Sequence, residues 1–265
     1  MYISPKHNLS TIRNLLRDSP KFGGRDIFYF PEINSTNTWL MNQECIDGAL
    51  CLAEKQSAGR GRQGKTWVAP ESGSILLSMG LKLDTRFSSA LSLVSGLALV
   101  GSLKEQGVTG LSLKWPNDVL LDHRKLAGIL VEVSGTRCVL GIGVNVHIPA
   151  LTGNAIDQPW TDLVSRGYRT DRDRLVASIV LHHERLLHEY LAVGFERLAD
   201  EWNRCHAHAN QSVRVLSAGK TIHGIALGVN HRGELLVEKD GAVIAVNSGR
   251  VSAAADFPQG GPQKT

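Results

Sequence analysis

The sequence predicts an α+β protein made of a large N-terminal domain and a small C-terminal β-barrel. Three observations lead there. The length of 265 residues suits one large domain plus a small one. Strand-like and helical segments are interspersed through the first two hundred or so residues. Beyond His208 the pattern changes to short strands separated by turn signals.

Taken in order, residues 1–25 read as a short helical arm ending near Pro20 and Gly23-Gly24. Asp26 to Phe30 is a strand, and Ser35 or Thr36 caps a helix running to Leu40. Ala49 to Glu54 and Ser74 to Leu83 are strands flanking a Gly/Arg-rich loop. A helix covers 88–105; its apolar stretch Ala90 to Leu103 is too short for a membrane span and is diluted by serines and glycines, so it reads as a buried helix. Strands follow at Leu111 to Trp115, Asp118 to Leu121, Gly128 to Val133 and Val139 to Val144. Leu175, Ile179, Leu186 and Tyr190 recur at helical spacing from Asp171 to about Asn203, with a break at Gly194. The last strands are Ser212 to Leu216, Thr221 to Val229, Glu234 to Val237 and Val243 to Val246, with turns at Asn230–Gly233 and Asp240-Gly241. This divides the chain into an arm (1–25), a main domain (26–208), a barrel (209–256) and a flexible Pro/Gly/Gln-rich tail (257–265).

Composition excludes several classes. A net charge of +4 is too small to imply nucleic-acid binding. The four cysteines, Cys45, Cys51, Cys138 and Cys205, form no CxxC pair, which argues against zinc and a disulfide framework and fits a reducing cytoplasm. The N-terminus carries no signal-peptide core. His183-Glu184 with His188 imitates a zinc-protease helix, but the second histidine is at i+5 and points away, so no metal pair is expected. His182, His183, His206 and His208 read most simply as surface or helix-end residues.

Two segments carry the chemistry. Gly59 to Trp67 reads GRGRQGKTW, and Lys114 to Leu130 reads KWPNDVLLDHRKLAGIL. Gly59, Gly61 and Gly64 match a dinucleotide fingerprint formally, with Asp84 at the spacing of a ribose-binding acid, but Pro70 and Gly73 leave no room for the required helix. As a loop, glycines let backbone N–H groups approach an anion, and Arg60, Arg62 and Lys65 add cations. Taken alone, the segment reads equally well as a solvated basic loop. Lys114-Trp115-Pro116-Asn117-Asp118 is at least a turn. Lys125 beside small residues offers a point charge to phosphate or carboxylate, and Gly128 lets a ligand lie against backbone.

These two segments, with Gln56, Ser35-Thr36-Asn37 and Gly141-x-Gly143-Val-Asn145, resemble the signatures of the biotin protein ligases, in the form without an N-terminal DNA-binding domain. The resemblance runs from about Ile33 to the C-terminal segment. It implies a mixed β-sheet flanked by helices and an SH3-like C-terminal barrel. It implies ATP, biotin and Mg²⁺ as substrates and cofactor, and biotin carboxyl carrier protein of acetyl-CoA carboxylase as the acceptor. Biotin carboxylate attacks the α-phosphorus of ATP; a carrier lysine then takes the biotinyl group from biotinyl-5′-AMP. In that scheme Arg60, Arg62 and Lys125 offset the repulsion of two anions, and Asp118 and Asn117 orient metal or amine. Ser35, Thr36 and Asn37 contact the ureido ring, the strand ending at Asn145 lies under biotin, and the loop of Gly59, Gly61, Lys65 and Trp67 closes over the adenylate. The family often dimerises through its core sheet, so a homodimer is admitted.

Two segments depart from the family pattern. Lys65 stands where relatives commonly have Arg. Arg250 and Ala254 stand where an acid and an Arg are usual, so no nucleotide contact is assigned there. Three other readings compete. A lipoate or octanoate ligase of related fold is the nearest. A biotin-sensing repressor is disfavoured because Ser35 comes too early for a DNA-binding domain. A non-catalytic barrel module rests on the barrel alone.

Overall fold

The computed structural model describes residues 6–149 and 158–253; the calls on the 257–265 tail and Ala254 fall outside them. The chain begins with α1 (Leu9–Leu15), capped by the Asn8 side chain, which accepts from the N–H groups of Ser10 and Thr11. Ile12, Leu16 and Phe22 bury this arm. It leads to β1 (Ile27–Ile33), α2 (Thr36–Met41), β2 (Leu50–Gln56), β3 (Ser74–Lys82) and α3 (Leu91–Glu105). Four strands follow: β4 (Leu111–Lys114), β5 (Asp118–Leu121), β6 (Arg124–Ser134) and β7 (Arg137–Asn145). Then come α4 (Arg172–Val193), α5 (Glu196–Arg204) and the strands β8 (Ser212–Ser217), β9 (Lys220–Val229), β10 (Leu235–Lys239), β11 (Ala242–Val246) and β12 (Arg250–Ala253).

The large sheet has the order β1-β2-β3-β7-β6-β5-β4. Only β1 and β2 run parallel, so the sheet is mixed, as expected. The near-continuous apolar run of β3 follows from burial on both faces: every residue from Ser74 to Leu81 is buried. The same logic applies to α3, apolar all round and buried along most of its length, with the Ser95 and Ser102 hydroxyls returned to Leu91 O and Leu99 O. Gly194, at φ 80°, caps α4 where the sequence breaks period. Among the described residues no helix is long and apolar enough to cross a membrane.

The C-terminal sheet, β11-β10-β9-β8-β12, is antiparallel throughout. Its outermost strands do not pair, so the expected barrel is an open sheet among the described residues. Its inner residues Val213, Val215, Ala226, Leu235, Val237 and Val251 belong to the same apolar cluster as α3 and the large sheet. Polar contacts fix the docking. Trp115 Nε1 donates to Gly233 O at 3.1 Å, and the Asn203 amide bonds both Val229 O (3.0 Å) and Val229 N (2.7 Å).

Three of the four histidines expected at the surface or at helix ends are buried instead: His183 at 0%, His206 at 8% and His208 at 6% exposure. His183 sits on the inner face of α4 and gives its Nδ1 proton to Ile179 O at 2.7 Å. His206 packs against Trp202, ring centroids 4.9 Å apart. Burial pushes both imidazoles down to about 4, with the neighbouring His208 adding to the effect on His206.

Candidate functional site

A cleft of about 490 Å³ opens between the Gly59–Trp67 loop, the N-terminus of α2, the middle of β6 and β7, and the Lys114–Asp118 turn. The loop is a folded hairpin. Gly61 N donates to Lys65 O at 2.7 Å and Trp67 N to Gly59 O at 3.0 Å, around a tight turn at Arg62–Gly64. Gly64 takes φ 74° in that turn. Gly59 does not line the cleft; it is buried behind the loop, where a Cβ would meet Trp67 O at 2.7 Å. Arg60, Gly61, Arg62, Lys65 and Trp67 all face the cleft. Burial lowers the Arg62 pKa from its ordinary value, and the Asp118 carboxylate opposes that shift.

The rigid wall is the turn between β4 and β5. Pro116 O accepts from Ser92 Oγ at 3.0 Å, and the Trp115–Pro116 peptide is cis. Asn117 is tied to β6 twice, its Nδ2 to Ile129 O at 2.8 Å and its carbonyl to Ile129 N at 3.0 Å. Lys125 lies within β6, and its backbone bonds Pro159 O and Thr161 N on the far side. Its ammonium sits 2.8 Å from Asp118 Oδ1 and 5.5 Å from the centre of the Trp67 ring. Asp118 is the only carboxylate residue lining the cleft among the described residues.

Gly128 and Gly143 line the cleft, and Trp67 packs against both. A Cβ on Gly128 would meet Trp67 Cζ3 at 2.8 Å, and one on Gly143 would meet Trp67 Cε2 at 2.5 Å. The two glycines therefore seat the indole that closes the loop. Asn145, at the end of β7, gives Nδ2 to Thr161 O at 3.0 Å and leaves Oδ1 without a hydrogen-bond partner, buried at the cleft.

Opposite the loop, Ser35 caps α2. Gln56 Oε1 accepts the N–H of Thr36 at 2.8 Å; Ser78 Oγ lies 2.7 Å from Thr36 Oγ1 and 2.5 Å from Asn37 Oδ1. Asn37 Nδ2 reaches Glu132 Oε2 at 2.9 Å, which also receives Arg60 Nη2 at 2.8 Å. Sequence reasoning missed Glu132, yet period-two alternation from Gly128 and Leu130 places it on the same strand face as those cleft residues. It also missed the ion pair of Arg172 with Glu54, 3.3 Å apart and both 2% exposed, which clasps Ser72 where the loop rejoins β3. The C-terminal segment left without nucleotide contacts brings Gly249, Arg250 and Val251 to the cleft rim.

Among the described residues no group of three or more His, Cys, Asp or Glu side chains forms a metal cluster. One carboxylate beside an amide fits a divalent ion held mainly by phosphate oxygens, not an all-protein cage.

A cleft with a cationic hairpin, a rigid Lys-Trp-Pro-Asn-Asp turn and a lysine on β6 defines a ligase-type anion site. The Biotin/lipoate A/B protein ligase family matches residues 29–148, and the Biotin protein ligase C terminal domain matches residues 208–253. The bifunctional ligase/repressor BirA of Escherichia coli is 33% identical over 238 residues, covering 86% of this chain and 74% of that protein. The biotin–acetyl-CoA-carboxylase ligase of Mycobacterium tuberculosis is 32% identical over 243 residues, covering 86% of this chain and 89% of that protein. Among solved structures, the biotin protein ligase from Aquifex aeolicus in complex with biotin and ATP superposes with a TM-score of 0.77 at 26% identity, covering 86% of this chain and 98% of that one. The chain belongs to the biotin protein ligase family.

Proposed function

We propose that this protein is an ATP-dependent ligase that makes biotinyl-5′-AMP and transfers biotin to a lysine of biotin carboxyl carrier protein of acetyl-CoA carboxylase. The observation that carries the reading is the convergence of Arg60, Arg62, Lys65 and Lys125 on one cleft whose lining holds a single carboxylate residue among those described. Two anions can share such a cleft because the surrounding cations offset their repulsion.

In the first step a biotin carboxylate oxygen bonds the α-phosphorus of ATP, and the bond to the β-phosphate oxygen breaks, releasing pyrophosphate. Arg62 and Lys125 hold the negative charge that spreads over the phosphate in flight. Asp118 and the side-chain oxygen of Asn117 are the groups that would hold a Mg²⁺ ion brought in with ATP, which would further neutralise the phosphate charge. In the second step the neutral carrier amine attacks the carboxyl carbon of the anhydride, AMP leaves with the electron pair of the broken C–O bond, and the amine loses a proton. Water must stay out, since it would consume the anhydride. The Gly59–Trp67 hairpin serves as the cover, with Trp67 as its inner face.

In this reading residues 26–208 form the catalytic domain and 209–256 an accessory domain, a division supported by the two separate sheets and the two matched family segments. The protein acts in the cytoplasm, where its carrier and ATP are found, and the family's habit of pairing through the core sheet makes a homodimer the expected assembly. The test is mass spectrometry of a purified carrier domain after incubation with the protein, ATP, Mg²⁺ and biotin. A gain of one biotinyl group at one lysine supports the assignment. A carrier modified only with lipoate or octanoate in place of biotin turns it toward the related acyl ligases.

A further inference from the structure

We propose that Glu132 is a positioning residue, whose Oε2 atom couples the Gly59–Trp67 hairpin to the polar wall built from Asn37, Ser78, Thr36 and Gln56. The functional consequence rests on the reading of this cleft as the biotin site; the coupling itself rests on geometry alone.

Glu132 Oε2 receives Asn37 Nδ2 at 2.9 Å and Arg60 Nη2 at 2.8 Å. An ionised carboxylate only accepts, so the Asn37 NH₂ group must face it and the Asn37 oxygen must face Ser78. Ser78 Oγ, 2.5 Å from that oxygen, then has its one proton committed to Asn37. The Thr36 hydroxyl, 2.7 Å from Ser78 Oγ, also lies 3.1 Å from Gln56 Oε1 and continues the chain of polar contacts to that side chain. Gln56 Oε1 is fixed by the Thr36 N–H at 2.8 Å, which turns the Gln56 NH₂ group toward Gly59 at the root of the hairpin. Leu130 O, 3.3 Å from Asn37 Nδ2, holds the amide the same way round, so Glu132 is one of two acceptors that orient this end of the wall. Glu132 Oε2 also decides where Arg60 holds the hairpin.

An ion pair between exposed side chains is ordinarily worth little. Here Arg60 is 45% and Glu132 27% exposed, so the Arg60 arm alone is a modest clamp. The Asn37 arm differs, because Asn37 is only 3% exposed. Its oxygen also occupies space that only a glycine at position 141 leaves, since a Cβ there would lie 2.3 Å away. A ligand that engages the wall thus feels the position of the loop, and a closed loop orients the wall before the ligand arrives.

Two substitutions separate the arms. Glu132→Gln keeps an oxygen for Asn37 but removes the charge that holds Arg60. Glu132→Ala removes both. Three readouts are taken on the full chain: the rate of trypsin cleavage at Arg60, Arg62 and Lys65 without ligand, the Asn37 side-chain amide signal by NMR, and the affinity for biotin. Cleavage is expected to quicken about fivefold in both variants. The Asn37 amide signal is expected to persist in Glu132→Gln and, with only Leu130 O left as acceptor, to lose part of its protection in Glu132→Ala. Biotin binding is expected to weaken about tenfold in Glu132→Ala and less in Glu132→Gln, while kcat for pyrophosphate exchange at saturating biotin stays within about threefold. A Glu132→Ala variant changed in only one arm, loop or wall, overturns the coupling, as does one changed in neither. Wild-type protein that binds no biotin overturns the reading of the cleft instead, and the cleavage and amide readouts then decide the coupling by themselves.

Discussion

Replacing Gly143 by alanine drives a methyl group into the indole that closes the cleft. The added Cβ would sit 2.5 Å from Trp67 Cε2, 2.6 Å from Cζ2 and 2.9 Å from Nε1. Carbon atoms in good contact stand about 3.5–4 Å apart, so the ring must retreat by about 1 Å. It cannot do so freely. Trp67 N is bonded to Gly59 O at 3.0 Å, and the Lys125 ammonium rides 5.5 Å from the ring centre. Overpacking of this kind costs about 1–3 kcal/mol of stability, a loss of a few degrees in Tm. The effect on catalysis should be larger, because a displacement of about 1 Å near reacting groups is worth about 10²-fold in rate. Biotin-dependent exchange of pyrophosphate into ATP measures this directly, with Trp67 emission read as the difference between Gly143→Ala proteins with and without Trp67→Phe. Exchange within twofold of wild type, with unshifted Trp67 emission, refutes the idea that the glycines seat the ring for catalysis.

Other substitutions probe other parts of the cleft. Lys125→Ala removes the charge facing Asp118 at 2.8 Å and should cut biotin-dependent pyrophosphate release by about 10³; normal release rejects its role at the phosphate. Arg62→Gly should loosen the hairpin so that biotinyl-AMP escapes about tenfold faster into a solution trap for adenylates, and wild-type leakage contradicts the covering role. His183 and His206 are held near 4 in the fold, whereas a free histidine titrates near 6.5. The unfolded chain therefore takes up protons first as pH falls. Stability should be complete above about pH 6.5 and decline toward pH 4, by at most about 3 kcal/mol for each ring. His206→Phe, which keeps a ring against Trp202, should flatten that decline in denaturant titrations; an unchanged pH slope contradicts the burial argument.

Local chemistry made much of this molecule legible. The Ser35 cap, the turns at Asn230–Gly233 and Asp240-Gly241, the break at Gly194 and the buried run of α3 are all encoded within a few neighbouring residues. The cleft was legible because its cations cluster in two short segments. What the sequence withheld depends on distant partners. Glu54 and Arg172 are 118 positions apart, so nothing local marks them as a buried pair. β12 is four residues long and becomes a strand only by pairing with β8, which is why Arg250 at the cleft rim was not foreseen. His183 was misjudged because helix periodicity cannot say that a polar position will be covered, and His206 and His208 because they follow the last helix into a segment buried by distant partners. The expected barrel is an open sheet among the described residues because its outermost strands, β11 and β12, do not pair.

The central claim is that the cationic hairpin and the Lys114–Lys125 wall bind a carboxylic acid and a nucleoside triphosphate side by side. A crystal structure grown with biotin and a non-hydrolysable ATP analogue tests it most directly. The account predicts the biotin carboxylate and the α-phosphate in contact between Arg62 and Lys125, with Trp67 over them. Either ligand bound elsewhere, or the two separated by protein, contradicts it.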